Sequence, residues 1–472
     1  MALAASTVWE VRKTGNALNG GGFNTDKLCQ GPIVTLSLYG AGTGYTAEDI
    51  LTLQDGNTDA TVIVDTVDGS GAILTYHLGD AGTGYFVNPW EIEVLGGTGN
   101  DDATFIIESV DSPSVDYSQQ DVAKLSLTDG ATSGIGVAIL TSATGGFTEA
   151  MVGNLIFVAS GTNAVSRFYE IIAYTDTNTV ELDQTPDDGV GGLTGDTVFK
   201  VGGAVDHPQR ILVNNEEAGT MWIKKGVYQR ISGSFVLMLG DGYLNQIYGY
   251  KTVRGDNPTV EADMPQFDGE GTYYGIYSSN DTQAWGLIRN CTVYNYSSTG
   301  IFFGQGTVIN CIAHNDGSGT GISASIICGC KAYSNELGFT GKKASECIAY
   351  SNTDGFVVNY CLNCIAYANV QAGFYDAYAS SRNCIAYNNI RWGFYSDEIP
   401  VVVGLFDYNC YYGNGINLAG ITAGAHDIEA DPLFVDATHG DFTLQNASPC
   451  MDVGFQLKFP LKTLMCRVTV TS

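Results

Sequence analysis

Hydrophobic and polar positions in the C-terminal half of the chain fall into a short unit that keeps returning. Between Asn290 and Cys410 a cysteine recurs at positions 291, 311, 330, 347, 364, 384 and 410, at spacings of 20, 19, 17, 17, 20 and 26 residues. Four copies are nearly alike: Cys-Lys-Ala-Tyr-Ser-Asn from Cys330, Cys-Ile-Ala-Tyr-Ser-Asn from Cys347, Cys-Ile-Ala-Tyr-Ala-Asn from Cys364 and Cys-Ile-Ala-Tyr-Asn-Asn from Cys384. Two looser copies open at Cys291 and Cys311. A period of this length with one short strand pattern per copy and no helical pattern specifies a β-solenoid. Leucine-rich repeats need a lattice of leucines that is absent here, and tetratricopeptide and ankyrin arrays need longer, helical units.

Side chains alternate across a strand, so each copy sorts into an inner and an outer set. Cys291, Cys311, Cys330, Cys347, Cys364 and Cys384, with the alanine two places on in all copies but the first, are small enough for a crowded interior. The position after the cysteine holds Thr292, Ile312, Lys331, Ile348, Ile365 and Ile385. An unpaired lysine is costly to bury, so this column is expected to face out beside the tyrosines. Asn335, Asn352, Asn369 and Asn389 fall at one bend, where they are expected to bond from rung to rung. A glycine followed by an aliphatic or aromatic residue comes next, from Gly300-Ile301 through Gly393-Phe394. Glycine there is read as a sharp corner, with the following residues stacked inside.

These residues resemble the right-handed parallel β-helix of the pectate-lyase-like superfamily, a fold used by polysaccharide lyases and hydrolases and by bacteriophage tailspikes. The expected fold class is therefore all-β: a right-handed parallel β-helix (solenoid) preceded by N-terminal β-rich domains. The repeat is specific for fold and nearly silent on function.

Upstream, Trp9-Glu10-Val11-Arg12 reads as a strand and Asn19-Gly20-Gly21-Gly22-Phe23 as a turn. With Asp116-Tyr117-Ser118-Gln119-Gln120-Asp121 and Met151-Val152-Gly153-Asn154, they resemble the opening of bacteriophage structural proteins in which such a region precedes a β-helix. Between these motifs lies an insertion with its own repeat. Gly42-Thr43-Gly44-Tyr45 returns as Gly82-Thr83-Gly84-Tyr85, and each copy leads to an Ala-Thr strand, at Ala60-Thr61 and Ala103-Thr104. No helix or Lys-Ser/Thr follows the glycines, which argues against a nucleotide loop. The expected organisation is residues 1–29 and 113–205 as an N-terminal attachment or neck domain, 30–112 as an inserted β module with a twofold internal repeat, and 206–455 as the β-helix. Its opening coil falls near Thr220-Met221-Trp222-Ile223. Residues 431–454 are expected as last rungs and cap, and 456–472 as a terminal tail or cap strand. Arg254-Gly255-Asp256 is read as a turn rather than an adhesion motif.

Charge narrows the partners. The 472 residues carry 21 Lys+Arg against 50 Asp+Glu, a net charge of −29, so a nucleic acid is not an expected partner. Most of the 12 cysteines belong to the ladder and are expected to be reduced in a product assembled in the cytosol. Cys361-Leu-Asn-Cys364 lacks two convincing further ligands, so no metal and no cofactor are expected. The N-terminus lacks the basic and apolar regions of a secretory signal, and no stretch reaches a membrane span, so a soluble protein released without a signal is expected.

Candidate chemistry is sparse. Asp376, after Gly373-Phe374-Tyr375, and Asp397, after Gly393-Phe394-Tyr395-Ser396, occupy similar places on adjacent rungs about 4.8 Å apart. Glycosidase carboxyl pairs stand roughly 5 to 9 Å apart, which makes these two the candidate acids. The competing explanation is that both are solvated turn residues. Arg382 and Arg391 are the nearby bases, and Tyr375, Tyr378, Trp392 and Tyr395 present rings suited either to sugars or to one another. The outward strip of Ile312, Ile348, Ile365 and Ile385 is expected to be covered in a homotrimer.

What the resemblance implies is a bacteriophage virion structural protein: a tailspike, tail fibre or head-attached decoration, assembled in the host cytoplasm and held to other virion proteins through its N-terminal region. The alternatives are a depolymerase acting on host surface polysaccharide and a non-catalytic glycan-binding adhesin.

Overall fold

The computed structural model describes residues 7–23, 31–85, 88–110, 117–214, 219–231, 235–238, 245–278, 286–375, 380–397 and 406–451. The chain separates into two compact units, Met1–Arg210 with Thr252–Asp256, and Ile211–Lys251 with Asn257–Ser472.

In the first unit the inserted segment forms a six-stranded sheet. Its spatial order is Ile33–Ala41, Ala103–Val110, Asn88–Leu95, Ile50–Leu53, Thr61–Val67, Ile73–Asp80. The order reads the same from either end once the two sequence copies are exchanged. The first strand of each copy pairs with the third strand of the other. The repeated Gly-Thr-Gly-Tyr is the lock that joins them. Asp102 Oδ1 accepts the Thr43 N–H at 2.8 Å and Tyr45 Oη accepts the Ala103 N–H at 3.2 Å. In the mirror half, Asp59 Oδ1 accepts the Thr83 N–H at 2.8 Å and Tyr85 Oη accepts the Ala60 N–H at 3.0 Å. The glycines serve this turn with φ of 59° and 80° at Gly42 and Gly44 and 60° and 75° at Gly82 and Gly84, values that cost residues bearing a Cβ. Leu51, Leu53, Val62, Val64, Val94, Phe105 and both tyrosines make the core.

The same unit contains a closed antiparallel barrel of six strands. It is ordered Ile139–Ser142, Thr179–Leu182, Arg167–Asp176, Leu155–Ser160, Thr194–Val201, Leu125–Ala131. Closure removes free sheet edges, and Leu140, Ile156, Val158, Tyr169, Ile171, Val180 and Phe199 fill the interior. Val8–Val11 pairs with Gly22–Phe23, and its Glu10 is fully buried. Glu10 Oε1 accepts from Arg12 Nε at 2.8 Å and Oε2 from Arg254 Nε at 2.6 Å. The arginine of the Arg-Gly-Asp triplet is thus spent on a buried carboxylate, and Asp256 Oδ2 closes its own turn on the Thr252 N–H at 2.7 Å.

The second unit is the right-handed parallel β-helix. Each coil contributes a short strand after the cysteine, such as Ile348–Tyr350 or Ile365–Tyr367, and a longer one from the glycine towards the next cysteine, such as Leu337–Ser345 or Asp354–Leu362. Equivalent strands pair in parallel and in register, Ile312 with Lys331, then Ile348, Ile365 and Ile385. Cys291, Cys311, Cys330, Cys347, Cys364 and Cys384 are fully buried beneath one another, as is the residue two places on, Val293 in the first copy and alanine in the other five. Phe339, Phe356, Phe374 and Phe394 stack at 5.0, 4.8 and 4.5 Å between ring centroids.

Cys410 is not the seventh member of that column. Register pairs it with Ile385, and Asn409 stands next to Cys384, accepting its N–H at 3.1 Å. The longer spacing of 26 residues hides a shift of one place, which turns the side chain to the other face.

An asparagine ladder runs through the coil. Asn369 Oδ1 accepts both the backbone N–H and the Nδ2 of Asn352, at 3.0 and 3.1 Å, and Asn352 and Asn389 repeat the pattern. Two further groups extend it: Asn389 donates to Asn414 at 2.8 Å, and the Tyr296 hydroxyl donates to Asn335 Oδ1. The glycine column has a different role from the corner expected of it. Its members do not have left-handed backbone. A Cβ at Gly355 would sit 2.5 Å from the Gly373 carbonyl oxygen and 3.0 Å from Asn369 Nδ2, so glycine leaves room for the ladder. Left-handed backbone instead precedes the cysteines, at residues such as Asn310, Glu346, Asn363 and Asn383 with φ of 48°, 57°, 55° and 53°, and the ladder asparagines, at Ser334, Ser351, Ala368 and Asn388 with φ of 56°, 55°, 51° and 54°.

Candidate functional site

The inner columns fix where the outer side chains stand. Beside the isoleucine column runs a stack of rings: Tyr294, His314, Tyr333 and Tyr350 succeed one another at 5.5, 4.7 and 4.8 Å, and Tyr367 and Tyr387 are 5.6 Å apart. Burial raises the Tyr333 hydroxyl pKa, and that of Tyr350 is pushed up to about 12.

At one end this strip is polar. Glu261 Oε1 lies 3.0 Å from His314 Nε2, and Oε2 accepts from the Tyr333 hydroxyl at 3.2 Å. The hydrogen bond to His314 outweighs partial burial and holds the Glu261 carboxyl below its ordinary pKa, with Lys331 adding to the effect.

At the other end the strip is covered by the protein's own C-terminal segment. Phe434–Asp436 pairs with Asp441–Leu444 as a hairpin outside the coil, turned by Ala437–His439 and a left-handed Gly440. Phe434 and Phe442 pack on Ile348, Tyr350, Ile365, Tyr367, Ile385 and Tyr387. Phe442 meets Tyr350 and Tyr367 at 5.7 and 5.6 Å, and Phe434 meets Tyr387 at 5.8 Å. Two expectations are corrected by this. Residues near 434–444 fold back over the outer face rather than adding rungs, because their aromatic residues find an apolar surface there. Accordingly Ile348, Ile365 and Ile385 are not a bare strip awaiting another subunit. Ile312, higher on the column, is itself buried.

Of the candidate acids, Asp376 lies outside the described residues, as does Tyr378, while Asp397 is exposed. The rings on that face engage one another: Tyr375 and Tyr395 are 5.2 Å apart, Trp392 stacks on Tyr395 at 4.1 Å, and the Arg391 guanidinium sits 3.7 Å above Trp392. Stacking on Tyr395 and the cation–π contact with Arg391 thus engage the Trp392 ring within the cluster itself.

A carboxyl pair that sequence reasoning missed lies where the coil ends. Asp427 accepts the N–H groups of Asn409 and Gly424, each at 2.8 Å, and partial burial nonetheless raises its pKa, with Asp407 adding repulsion. For Asp407 burial also pushes up, but hydrogen bonds from the His426 ring, at 2.9 Å, and backbone bring it below its ordinary value. Neighbouring carboxyl groups whose affinities for a proton are driven in opposite directions are a usual arrangement for acid and base roles. Two strands, Cys410–Tyr412 and Ile416–Ala419, separate Asp407 from His426 and Asp427 in the chain, and the spacing of twenty residues between the two aspartates gave no reason to join them. Among the described residues no three His, Cys, Asp or Glu side chains are grouped to hold a metal, and no described helix is long and apolar enough to cross a membrane.

No family model and no curated protein matches the chain. Among solved structures, the catalytic domain of a GH87 alpha-1,3-glucanase in complex with nigerose aligns over 89% of this chain and 99% of its own, at 9% identity and a TM-score of 0.17. A variant of that domain in complex with tetrasaccharides aligns over 86% of this chain and 99% of its own, at 10% identity and a TM-score of 0.13. Superpositions this loose carry no argument about function.

Proposed function

We propose that the chain is a bacteriophage virion structural protein, an appendage held to the particle by its N-terminal unit and projecting its β-helix. The observation that carries this reading is the unbroken interior from Cys291 to Asn414, in which thiol, asparagine and phenylalanine columns run from coil to coil and the protein's own hairpin covers the outer strip. That is the construction of a stiff shaft, and the N-terminal motifs resemble those of phage proteins that carry one. Residues 28–123 contain 15 acidic residues and no Lys or Arg, which suits attachment to a basic surface on another virion protein. Assembly as a homotrimer belongs to the same proposal, with contacts outside the covered stretch. Quantitative mass spectrometry of density-purified particles tests the reading. A fixed copy number per particle is expected, and absence from particles that infect normally would refute it.

A second reading, a glycan-cleaving enzyme, is favoured by the Asp407 and Asp427 pair beside the terminal coil. It predicts release of reducing ends from host surface polysaccharide, abolished in Asp427→Asn and unaffected in Asp397→Asn.

A further inference from the structure

Cys410 differs from the other cysteines of the repeat in place, partner and surroundings. The six ladder thiols point inward, each donating to the carbonyl two residues before it at 3.2 to 3.4 Å. Cys410 stands in the outward column next to Ile385. Its Sγ donates to the Ala430 carbonyl of the returning segment at 3.3 Å. From that same segment Cys450 packs against the cluster that contains Cys410. Cys450 is held there by its own neighbourhood: its N–H donates to Ser448 Oγ at 3.1 Å, and Ser448 Oγ donates to the Pro432 carbonyl at 2.6 Å. Among the described cysteines it is also the one that is not fully buried.

We propose that Cys410 and Cys450 are a disulfide site, which fastens the C-terminal hairpin onto the last coil when the protein meets an oxidising medium. The inference does not rest on the proposed function. Two thiols gathered in one cluster beside Ala430 and Pro432, one of them reachable from solvent, meet the requirement for exchange with a small disulfide such as oxidised glutathione. Cys450 loses its proton and attacks one glutathione sulfur. The glutathione S–S bond breaks, and the first glutathione leaves as a thiolate that takes up that proton. Cys410 then attacks Cys450 Sγ in the mixed disulfide, and its proton goes to the second departing glutathione. The protein loses two electrons and two protons, and one glutathione disulfide becomes two thiols. The ladder cysteines are shut off from the same reagent by complete burial.

The test uses the full chain. Folded protein is incubated with oxidised glutathione, quenched in acid, blocked with a maleimide under denaturant and cleaved after acidic residues, which separates Cys410 from Cys450. Without reduction, mass spectrometry is expected to find the two peptides joined and lighter by two hydrogens, with Cys291 to Cys384 carrying the block. In Cys410→Ser, Cys450 is expected to end as a glutathione adduct. Hydrogen exchange at 434–444 is expected to slow on oxidation and to recover with reductant. Recovery of both cysteines blocked, in protein whose circular dichroism shows it folded throughout, would overturn the proposal. So would linkage of either one to a ladder cysteine.

Discussion

Replacing Asn369 by alanine removes the centre of the buried ladder. Four hydrogen bonds go: those from the Asn352 backbone N–H at 3.0 Å and Nδ2 at 3.1 Å, and those to the Ala349 carbonyl at 3.2 Å and Asn389 Oδ1 at 2.9 Å. Their partners are not equally affected. Asn389 Oδ1 keeps the backbone N–H of residue 369, and Asn352 Nδ2 keeps the Ala332 carbonyl. The Asn352 N–H has no replacement, and Asn352 and Asn369 are both fully buried, whereas the Ala349 carbonyl belongs to the parallel pair of Ile348–Tyr350 with Ile365–Tyr367. A buried polar group left unpaired costs about 1–3 kcal/mol, and that is the expected loss. For a unit of this size it corresponds to a fall in melting temperature of about 2–12 °C. Calorimetry of the full chain reads it as a downward shift of the β-helix transition alone. Ile390→Ala, at an exposed position outside the ladder, is the control and is expected to stay within about 0.5 kcal/mol. An Asn369→Ala protein no less stable than that control would refute the claim that the ladder holds the coils together.

The remaining predictions concern other contacts. Glu10→Ala strands Arg12 and Arg254 opposite a buried gap, so the N-terminal unit is expected to lose about 3–5 kcal/mol, read as an earlier first transition in calorimetry with the β-helix transition unmoved. Tyr45→Phe and Tyr85→Phe each orphan one buried N–H, at Ala103 and Ala60. Each is expected to cost about 1–3 kcal/mol, equal within about 0.5 kcal/mol by the symmetry of the module, and unequal losses in chemical denaturation would show the two locks to be unlike. Glu261 has a folded-state pKa below its ordinary 4.5, so its contribution is complete above that value and disappears as pH falls through the lower folded value. Glu261→Gln is therefore expected to flatten the acid limb of β-helix stability below about pH 4.5, and an unchanged limb would dismiss the His314 contact as a stabilising one.

How much of this was written in the chain differs from feature to feature. The thiol and asparagine columns were legible because one residue type recurs wherever the cross-section admits one size or one bonding pattern. The inserted repeat was legible for the same reason, as Gly-Thr-Gly-Tyr must adopt one turn twice. Its exchanged pairing was not, because nothing in a repeat says whether its strands pair within a copy or across. Cys410 continues the recurrence of cysteine along the chain without joining the column, since register decides the face and one residue of slip reverses it. The glycines were assigned to corners on their conformational freedom, whereas the decisive quantity was the space above Asn369 and its equivalents. The corners before the cysteines carry asparagine at Asn290, Asn310, Asn363 and Asn383, a residue that tolerates left-handed backbone, so a recurring signal for them stood in the chain beside the glycines. The covering hairpin depends on Phe434 and Phe442 meeting isoleucines some 50 to 90 positions away, and no local pattern encodes that. Asp407 and Asp427 are brought together in the same way, across a turn whose path only the folded coil defines.

A density map of the full chain at better than about 3 Å, enough to resolve strands about 4.8 Å apart, tests the central claim most directly. The account predicts Cys291, Cys311, Cys330, Cys347, Cys364 and Cys384 stacked one per coil inside a single parallel sheet, with Phe434 and Phe442 lying on its outer strip. Cysteines distributed over separate sheets, or an outer strip bare of that hairpin, would contradict it.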